Sequence, residues 1–179
     1  MKDLSLHLLD IACNSVSAGA GALNLELEER EGLLTVTITD DGAGMPPRLL
    51  AAVTDPFTTT RTTRKVGLGL PLLRLAAEQT GGSLRVESRE GAGTKVTAVF
   101  DARHIDCPPL GDMAGTVAMI IQGAPHVEVR YTHTAPSGTI CFDTRDIRGI
   151  LGPDVPLSEP EVARWIQAYI EELTGQLHI

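Results

Sequence analysis

The sequence predicts an α+β fold, on three observations. Leu23, Leu25 and Leu27 alternate with polar residues, and Leu34, Val36 and Ile38 alternate with Thr35, Thr37 and Thr39; the Arg30-Glu31-Gly32 turn between them makes a hairpin. A second pair of strands, Leu84 to Glu87 and Lys95 to Phe100, is joined by Gly91-Ala92-Gly93. Helical periodicity flanks these hairpins, which is the mixture expected of helices packed on a sheet rather than of an all-β sandwich.

Taken in order, Asp3 to Ala18 is a helix. Leu4, Leu8, Ile11 and Ser15 recur at helical spacing, Leu9, Ala12 and Val16 widen the stripe, Asp3 is placed to cap it, and Gly19 and Gly21 end it. After the first hairpin comes the glycine-rich run Asp40 to Gly44, then a short helix from Pro46 to about Val53. Asp55 to Val66 is threonine-rich without apolar period and reads as a long loop, a length that usually carries function. Leu70 to Gln79 is helical and stops at Gly81-Gly82. The pattern changes at Arg103 to Gly111, where Cys107-Pro108-Pro109-Leu110-Gly111 reads as a linker. This divides the chain into residues 1–102 and a small α+β extension over residues 112–179. The extension holds a helix (Met113 to Gln122), two strands (Val127 to His133, Thr139 to Asp143) and a last helix from Glu159 to Thr174. Ser158 is placed to cap that helix, and Val162, Trp165, Ile166, Tyr169 and Leu173 lie on one face.

Composition narrows the function. The chain has 179 residues, 42% hydrophobic but only 3% aromatic, so Leu, Val, Ile and Ala must fill the core. A net charge of −8 and no Lys/Arg-rich stripe argue against nucleic acid or a membrane surface as partner. The first residues, MKDLSLHLL, are not expected to act as a secretory signal, and no apolar run is long enough to span a bilayer. Cys13, Cys107 and Cys141 form no CxxC or zinc pattern and are expected to be reduced, buried thiols of a cytoplasmic protein.

Four features carry chemistry. Asp10 and Asn14 are four residues apart on the first helix, so they share a face. A carboxylate beside an amide oxygen suits a hard cation such as Mg²⁺, and equally a solvated polar stripe. Asp40-Asp41-Gly42-Ala43-Gly44 follows a strand directly: an Asp there can accept a hydrogen bond from an exocyclic amine such as that of adenine, and the glycines admit a flat base. A calcium loop would need later carboxylates that are missing, and a plain turn is the other alternative. Asp55-Pro56-Phe57-Thr58-Thr59-Thr60-Arg61 offers hydroxyls and a cation, as a lid over phosphates would or as an ordinary surface loop does. Gly67-Leu68-Gly69-Leu70 opens a helix, where free amides and the helix dipole favour phosphate. It is neither a P-loop nor a dinucleotide fingerprint.

In this order, IACNSVSAGA, DDGAGM, DPFTTTR and VGLGL, followed by TGGSLRVESREGAGTKVTAVF, resemble the ATPase domain shared by gyrase, heat-shock chaperones, histidine kinases and MutL. The resemblance covers about Asp3 to Phe100; the first segment is most similar to MutL, the remainder to histidine kinases. It implies a Bergerat fold, a two-layer α/β sandwich with helices on one face of a mixed, mostly antiparallel sheet, that binds Mg²⁺ and ATP. By this resemblance Asn14 holds Mg²⁺ against the triphosphate, Asp40 receives the adenine amine, and Gly42 and Gly44 shape the base pocket. Thr59, Thr60 and Arg61 sit in the lid, Gly67, Leu68 and Gly69 cradle the phosphates, and Asp10 falls where hydrolytic members carry a general-base Glu.

Three departures stand out. Asp10 is one methylene shorter than Glu. Lys65 replaces the first glycine of the histidine-kinase glycine box and can add a phosphate contact. The strand that usually precedes the first helix is absent, its place left open or filled by the C-terminal hairpin or a second subunit. With no two-helix phosphoacceptor segment before the first helix, autophosphorylation of the usual kind is not expected, and His7 reads as structural or surface rather than as phosphoacceptor. Two functions follow from the resemblance. One is an ATP-dependent kinase acting on a partner protein, as anti-sigma-factor kinases do, with Asp10 and Arg61 as its catalytic groups. The other is a non-catalytic or slowly hydrolysing nucleotide switch whose lid controls docking. In both, the extension is the partner or homodimer contact, or merely completes the core.

Overall fold

The computed structural model describes residues 3–54 and 69–178. The first half runs α1 (Leu4–Ser17), β1 (Ala22–Arg30), β2 (Leu33–Asp40), α2 (Pro47–Thr54), α3 (Gly69–Gln79), β3 (Ser83–Ser88) and β4 (Thr94–Asp101). The second runs α4 (Met113–Gly123), β5 (Glu128–Ala135), β6 (Gly138–Asp143), α5 (Thr144–Leu151), α6 (Pro160–Gly175) and a 3₁₀ turn (Gln176–His178). The architecture is α+β, as the strand and helix periods predict.

Asp3 caps α1, its carboxylate accepting from the Leu6 amide at 3.1 Å. Six strands form one sheet in the order β3-β4-β2-β1-β5-β6. All neighbours are antiparallel except β1 and β5, which run parallel with Leu25 beside Tyr131. β5 therefore occupies the flank of β1 that the sequence leaves open to three alternatives: the C-terminal hairpin fills it. That pairing needs a crossover, supplied by the linker and α4.

Alternation places Leu23, Leu25, Leu27, Val36, Ile38, Val96, Ala98, Phe100, Val129, Tyr131 and Phe142 on the helix-covered face, in one core with Leu8, Leu73, Val117 and Ile166. Asn24, Glu26, Glu28 and the Thr35/Thr37/Thr39 row point the other way. The linker is pinned to α1, the Leu4 and Ser5 amides donating to the Pro109 and Leu110 carbonyls at 2.9 Å.

Four expectations are corrected. α5, unread in the sequence, starts where the Asp143 carboxylate accepts from the Arg145 amide at 2.9 Å. Ser158 does not cap α6: the cap position is Glu159 without a side-chain bond, and Pro160, which has no amide hydrogen to satisfy, opens the helix instead. The buried stripe of α6 is centred on Ala163, Ile166 and Ile170, with Val162, Tyr169 and Leu173 of the expected face packed against the core beside it; Trp165 departs from that face and stays 43% exposed, stacked on Tyr169 at 5.4 Å. Finally, the thiols are free but not buried: Cys13 and Cys141 are exposed and Cys107 half-buried.

Candidate functional site

The site grows from two chain reversals at one end of the sheet and from the head of α3. β2 ends at Asp40, which is paired with Leu23 and Thr94 and so faces the helices. Its carboxylate is held by two donors: Ser15 Oγ on α1 at 2.5 Å and the Gly42 amide at 2.9 Å. Ser15 is 5% exposed, so this bond ties α1 to the strand end where water competes little. Asp41 accepts from the Gly21 and Ala22 amides, both at 2.8 Å, and anchors the loop to the start of β1. The Ala43 amide donates to the Ala18 carbonyl at 2.9 Å. The turn after β2 is thus sewn to both ends of the α1–β1 connection.

Two glycines make close packing possible. At Gly44 (φ +66°) a Cβ would fall 2.0 Å from the Arg89 carbonyl oxygen, and at Gly93 (φ +83°) 2.0 Å from the Asp40 carbonyl oxygen. The β3–β4 turn therefore lies backbone against backbone on the Asp40–Gly44 loop, and the Gly91 amide donates to the Ala43 carbonyl at 2.7 Å. At the buried Gly42 a Cβ would sit 3.1 Å from both the Ala18 carbonyl oxygen and Asp40 Oδ1. Gly42 and Gly44, read as shapers of a base pocket, thus also let the loop seat against α1 and the β3–β4 turn.

The head of α3 lies against α1. Gly69 is buried, and a Cβ on it would lie 2.1 Å from Asp10 Oδ2. That oxygen is itself buried and has no hydrogen-bond partner among the described residues. Asn14, one turn further along α1, is half-buried and next in sequence to the Ser15 that holds Asp40. Asp10, Asn14, Asp40, Gly42 and Gly69 are thereby linked through α1, while Gly44 packs on the β3–β4 turn. Thr59, Thr60, Arg61, Lys65, Gly67 and Leu68 lie outside the described residues.

Sequence reasoning missed Ser15, Asp41 and Gly93. Ser15 falls on the apolar stripe, and a hydroxyl in an otherwise apolar face is the available signal. Gly93 is indistinguishable in sequence from any hairpin glycine. His7 is 3% exposed, and burial pushes its pKa below the ordinary 6.5. Among the described residues no three His, Cys, Asp or Glu side chains converge as a metal cage. The donor set fits a metal that arrives with phosphates: an amide oxygen of Asn14 and an unpartnered carboxylate oxygen of Asp10 suit Mg²⁺, which keeps waters and phosphate ligands rather than a full protein shell.

Residues 2–104 match the model of a family described as histidine kinase-, DNA gyrase B-, and HSP90-like ATPase. The chain belongs to this ATPase family. Its six-stranded mixed sheet with helices on one face agrees with the family's Bergerat fold. Over 107 residues the ATPase segment is 26% identical to a Rickettsia conorii protein described as an NtrY-like sensor histidine kinase, covering 59% of this chain and 18% of the relative. Over 97 residues it is 33% identical to the sensor histidine kinase ZraS of Salmonella typhimurium, covering 52% and 21%. A protein of Shewanella frigidimarina described as a sensor is 29% identical over 101 residues, 56% and 15% of the two chains. The chain thus spans about a fifth or less of the length of these relatives. No described helix is long and apolar enough to cross a membrane. Membership of this ATPase family implies ATP binding.

Proposed function

We propose that residues 1–102 bind Mg²⁺-ATP where α1, the Asp40–Gly44 loop and the head of α3 meet, and pass the γ-phosphate to a partner protein, with residues 112–179 as the partner-facing or dimer-forming extension. The observation that carries this reading is Asp10 Oδ2: a carboxylate oxygen, buried and without a partner among the described residues, set against the first residue of α3, and a helix start is a place that attracts anions. An unsatisfied buried oxygen costs about 1–3 kcal/mol, so it marks a place where a ligand or a moving loop supplies the missing partner. Asp40, held by Ser15 and the Gly42 amide, keeps lone pairs for the adenine amine.

In the transfer itself the bond from the γ-phosphorus to the bridging oxygen of ADP breaks, and a bond forms to an acceptor hydroxyl or imidazole. The acceptor's proton goes to the Asp10 carboxylate. Asn14 would hold Mg²⁺, which would offset the phosphate charge. On this proposal Arg61 would offset the same charge and Lys65, Gly67 and Leu68 would add phosphate contacts, all four lying outside the described residues.

A second reading has its own support. Asp10 Oδ2 is sealed from solvent, which leaves no room beside it for an attacking water or acceptor while α3 sits as it does. On this reading ATP orders the lid and the ordered lid controls docking, without transfer or with slow hydrolysis.

Incubation with γ-labelled ATP and a cytoplasmic extract separates the two. Label moving onto another polypeptide establishes the kinase. A nucleotide-dependent rise in melting temperature with neither transfer nor phosphate release establishes the switch. No melting shift and no calorimetric heat with Mg²⁺-ATP overturns both.

A further inference from the structure

The last row of side chains at the site end of the sheet runs Leu23, Asp40, Thr94 and Ser88 across β1, β2, β4 and β3, all on the helix-covered face. Ser88 closes this row, and its hydroxyl is engaged on three sides. The Met45 amide donates to Ser88 Oγ at 2.8 Å, Ser88 Oγ donates to the Gly93 carbonyl at 3.0 Å, and Thr94 Oγ1 lies 2.9 Å away. A serine hydroxyl has one hydrogen and two lone pairs. The Gly93 carbonyl can only accept, so the hydrogen goes there, and Oγ accepts from both Met45 and the Thr94 hydroxyl. Every bonding position of this oxygen is then used.

Three pieces of chain meet at that one atom. Met45 is the exit of the Asp40–Gly44 loop, Gly93 is the turn residue packed on the Asp40 carbonyl, and Thr94 begins β4 beside Asp40. Ser15 and the Gly42 amide hold the entry of the loop through the Asp40 carboxylate. Ser88 holds its exit. An alanine at this position would continue β3 equally well, so what the hydroxyl adds is the tie between loop and turn.

We propose that Ser88 is a positioning residue for the base end of the nucleotide site. It acts through the backbones of Met45 and Gly93, seating the loop so that the Asp40 carboxylate keeps its aim at an exocyclic amine. The inference rests on the reading of Asp40 given above. A group that reads one polar substituent of a ligand must be held to within about 0.5 Å, and a loop released at one end loses that precision. The phosphate end hangs instead on α1 and the head of α3, to which no described bond of Ser88 runs. Loss of the Ser88 hydroxyl therefore lowers discrimination between bases and spares the binding that comes from the triphosphate.

The test is calorimetric titration of the whole chain with Mg²⁺-ATP and, separately, with Mg²⁺-ITP. The second ligand has the same triphosphate but a carbonyl where adenine has its amine, so the ratio of the two affinities reads Asp40. Ser88→Ala is expected to weaken Mg²⁺-ATP by about tenfold, the worth of one well-placed hydrogen bond, and to leave Mg²⁺-ITP within about twofold. Ser88→Thr, which keeps the hydroxyl, is expected to retain the original ratio within about threefold. Should Ser88→Ala fail to fold by circular dichroism, Ser88→Cys keeps the shape with a weaker acceptor and is expected to narrow the ratio in the same direction. An unchanged ratio in a folded variant overturns the proposal, and so does a proportional loss of both ligands, which marks a structural role only. If the unaltered protein binds the two triphosphates equally, the reading of Asp40 fails and the proposal falls with it; if it binds neither, the nucleotide reading itself fails.

Discussion

Replacing Gly93 by alanine, with Gly91 as its internal control, tests how the Asp40 loop is built. Both glycines lie in the β3–β4 turn with positive φ, +76° at Gly91 and +83° at Gly93. They differ in what a methyl group would meet. At Gly91 nothing lies within 4 Å; at Gly93 the Asp40 carbonyl oxygen lies at 2.0 Å and its carbon at 2.8 Å. A left-handed backbone costs an L-residue roughly 1–2 kcal/mol, partly offset by about 0.4–1 kcal/mol from a stiffer unfolded chain. Gly91→Ala should therefore destabilise by about 1 kcal/mol. Gly93→Ala carries the same strain plus an overpacking term of about 1–3 kcal/mol, because the obstructing atoms are backbone and cannot rotate away. The expected total is roughly 2–4 kcal/mol. Urea denaturation measures the difference directly, and melting curves should separate by roughly 2–4 °C for each kcal/mol. Because relief of the clash must move Asp40, Gly93→Ala should also lose the Mg²⁺-ATP melting shift that Gly91→Ala retains. Equal destabilisation by the two substitutions would refute the backbone-on-backbone packing of this turn.

Other consequences follow from the same geometry. Ser15→Ala leaves Asp40 Oδ2 without its donor and should cost about 1–3 kcal/mol in denaturation experiments, with weaker nucleotide binding as well. Asp40→Asn should abolish the ATP-induced melting shift; an undiminished shift removes Asp40 from the pocket. Asp10→Asn should spare binding yet reduce transfer or hydrolysis of labelled ATP, and unchanged turnover denies Asp10 a proton-accepting role. Burial lowers the pKa of His7 below 6.5, so the unfolded chain binds its proton first on acidification. This contribution to stability is complete above pH 6.5 and is lost as pH falls through the folded value. His7→Gln should flatten that part of the pH–stability curve, and an unaltered slope would show that other groups carry it.

Much of this was legible in sequence wherever the information is local. The alternation of Leu23, Leu25 and Leu27 against Thr-flanked Val36 and Ile38 specifies strands and their inward face, since side chains alternate regardless of what lies beyond. Asp3 reads as a cap because a carboxylate three residues before an amide can satisfy it in any context, and it does so at Leu6. The order of Asp10, Asn14, the Asp40–Gly44 loop and Gly69 along the chain was enough to suggest a nucleotide site.

What the tertiary structure alone decided is which distant pieces touch. Period-two alternation in β5 is compatible with either edge of any sheet; only the crossover through α4 sets it parallel to β1. The apolar stripe of α6 is broad enough to turn either way, and contact with α4 and the sheet chose Ala163, Ile166 and Ile170 over Trp165. Ser15 became the donor to Asp40 and Gly93 its backing because residues separated by 25 and 53 positions were folded into contact. Sequence period determines the direction of a side chain, but long-range packing determines what stands in front of it.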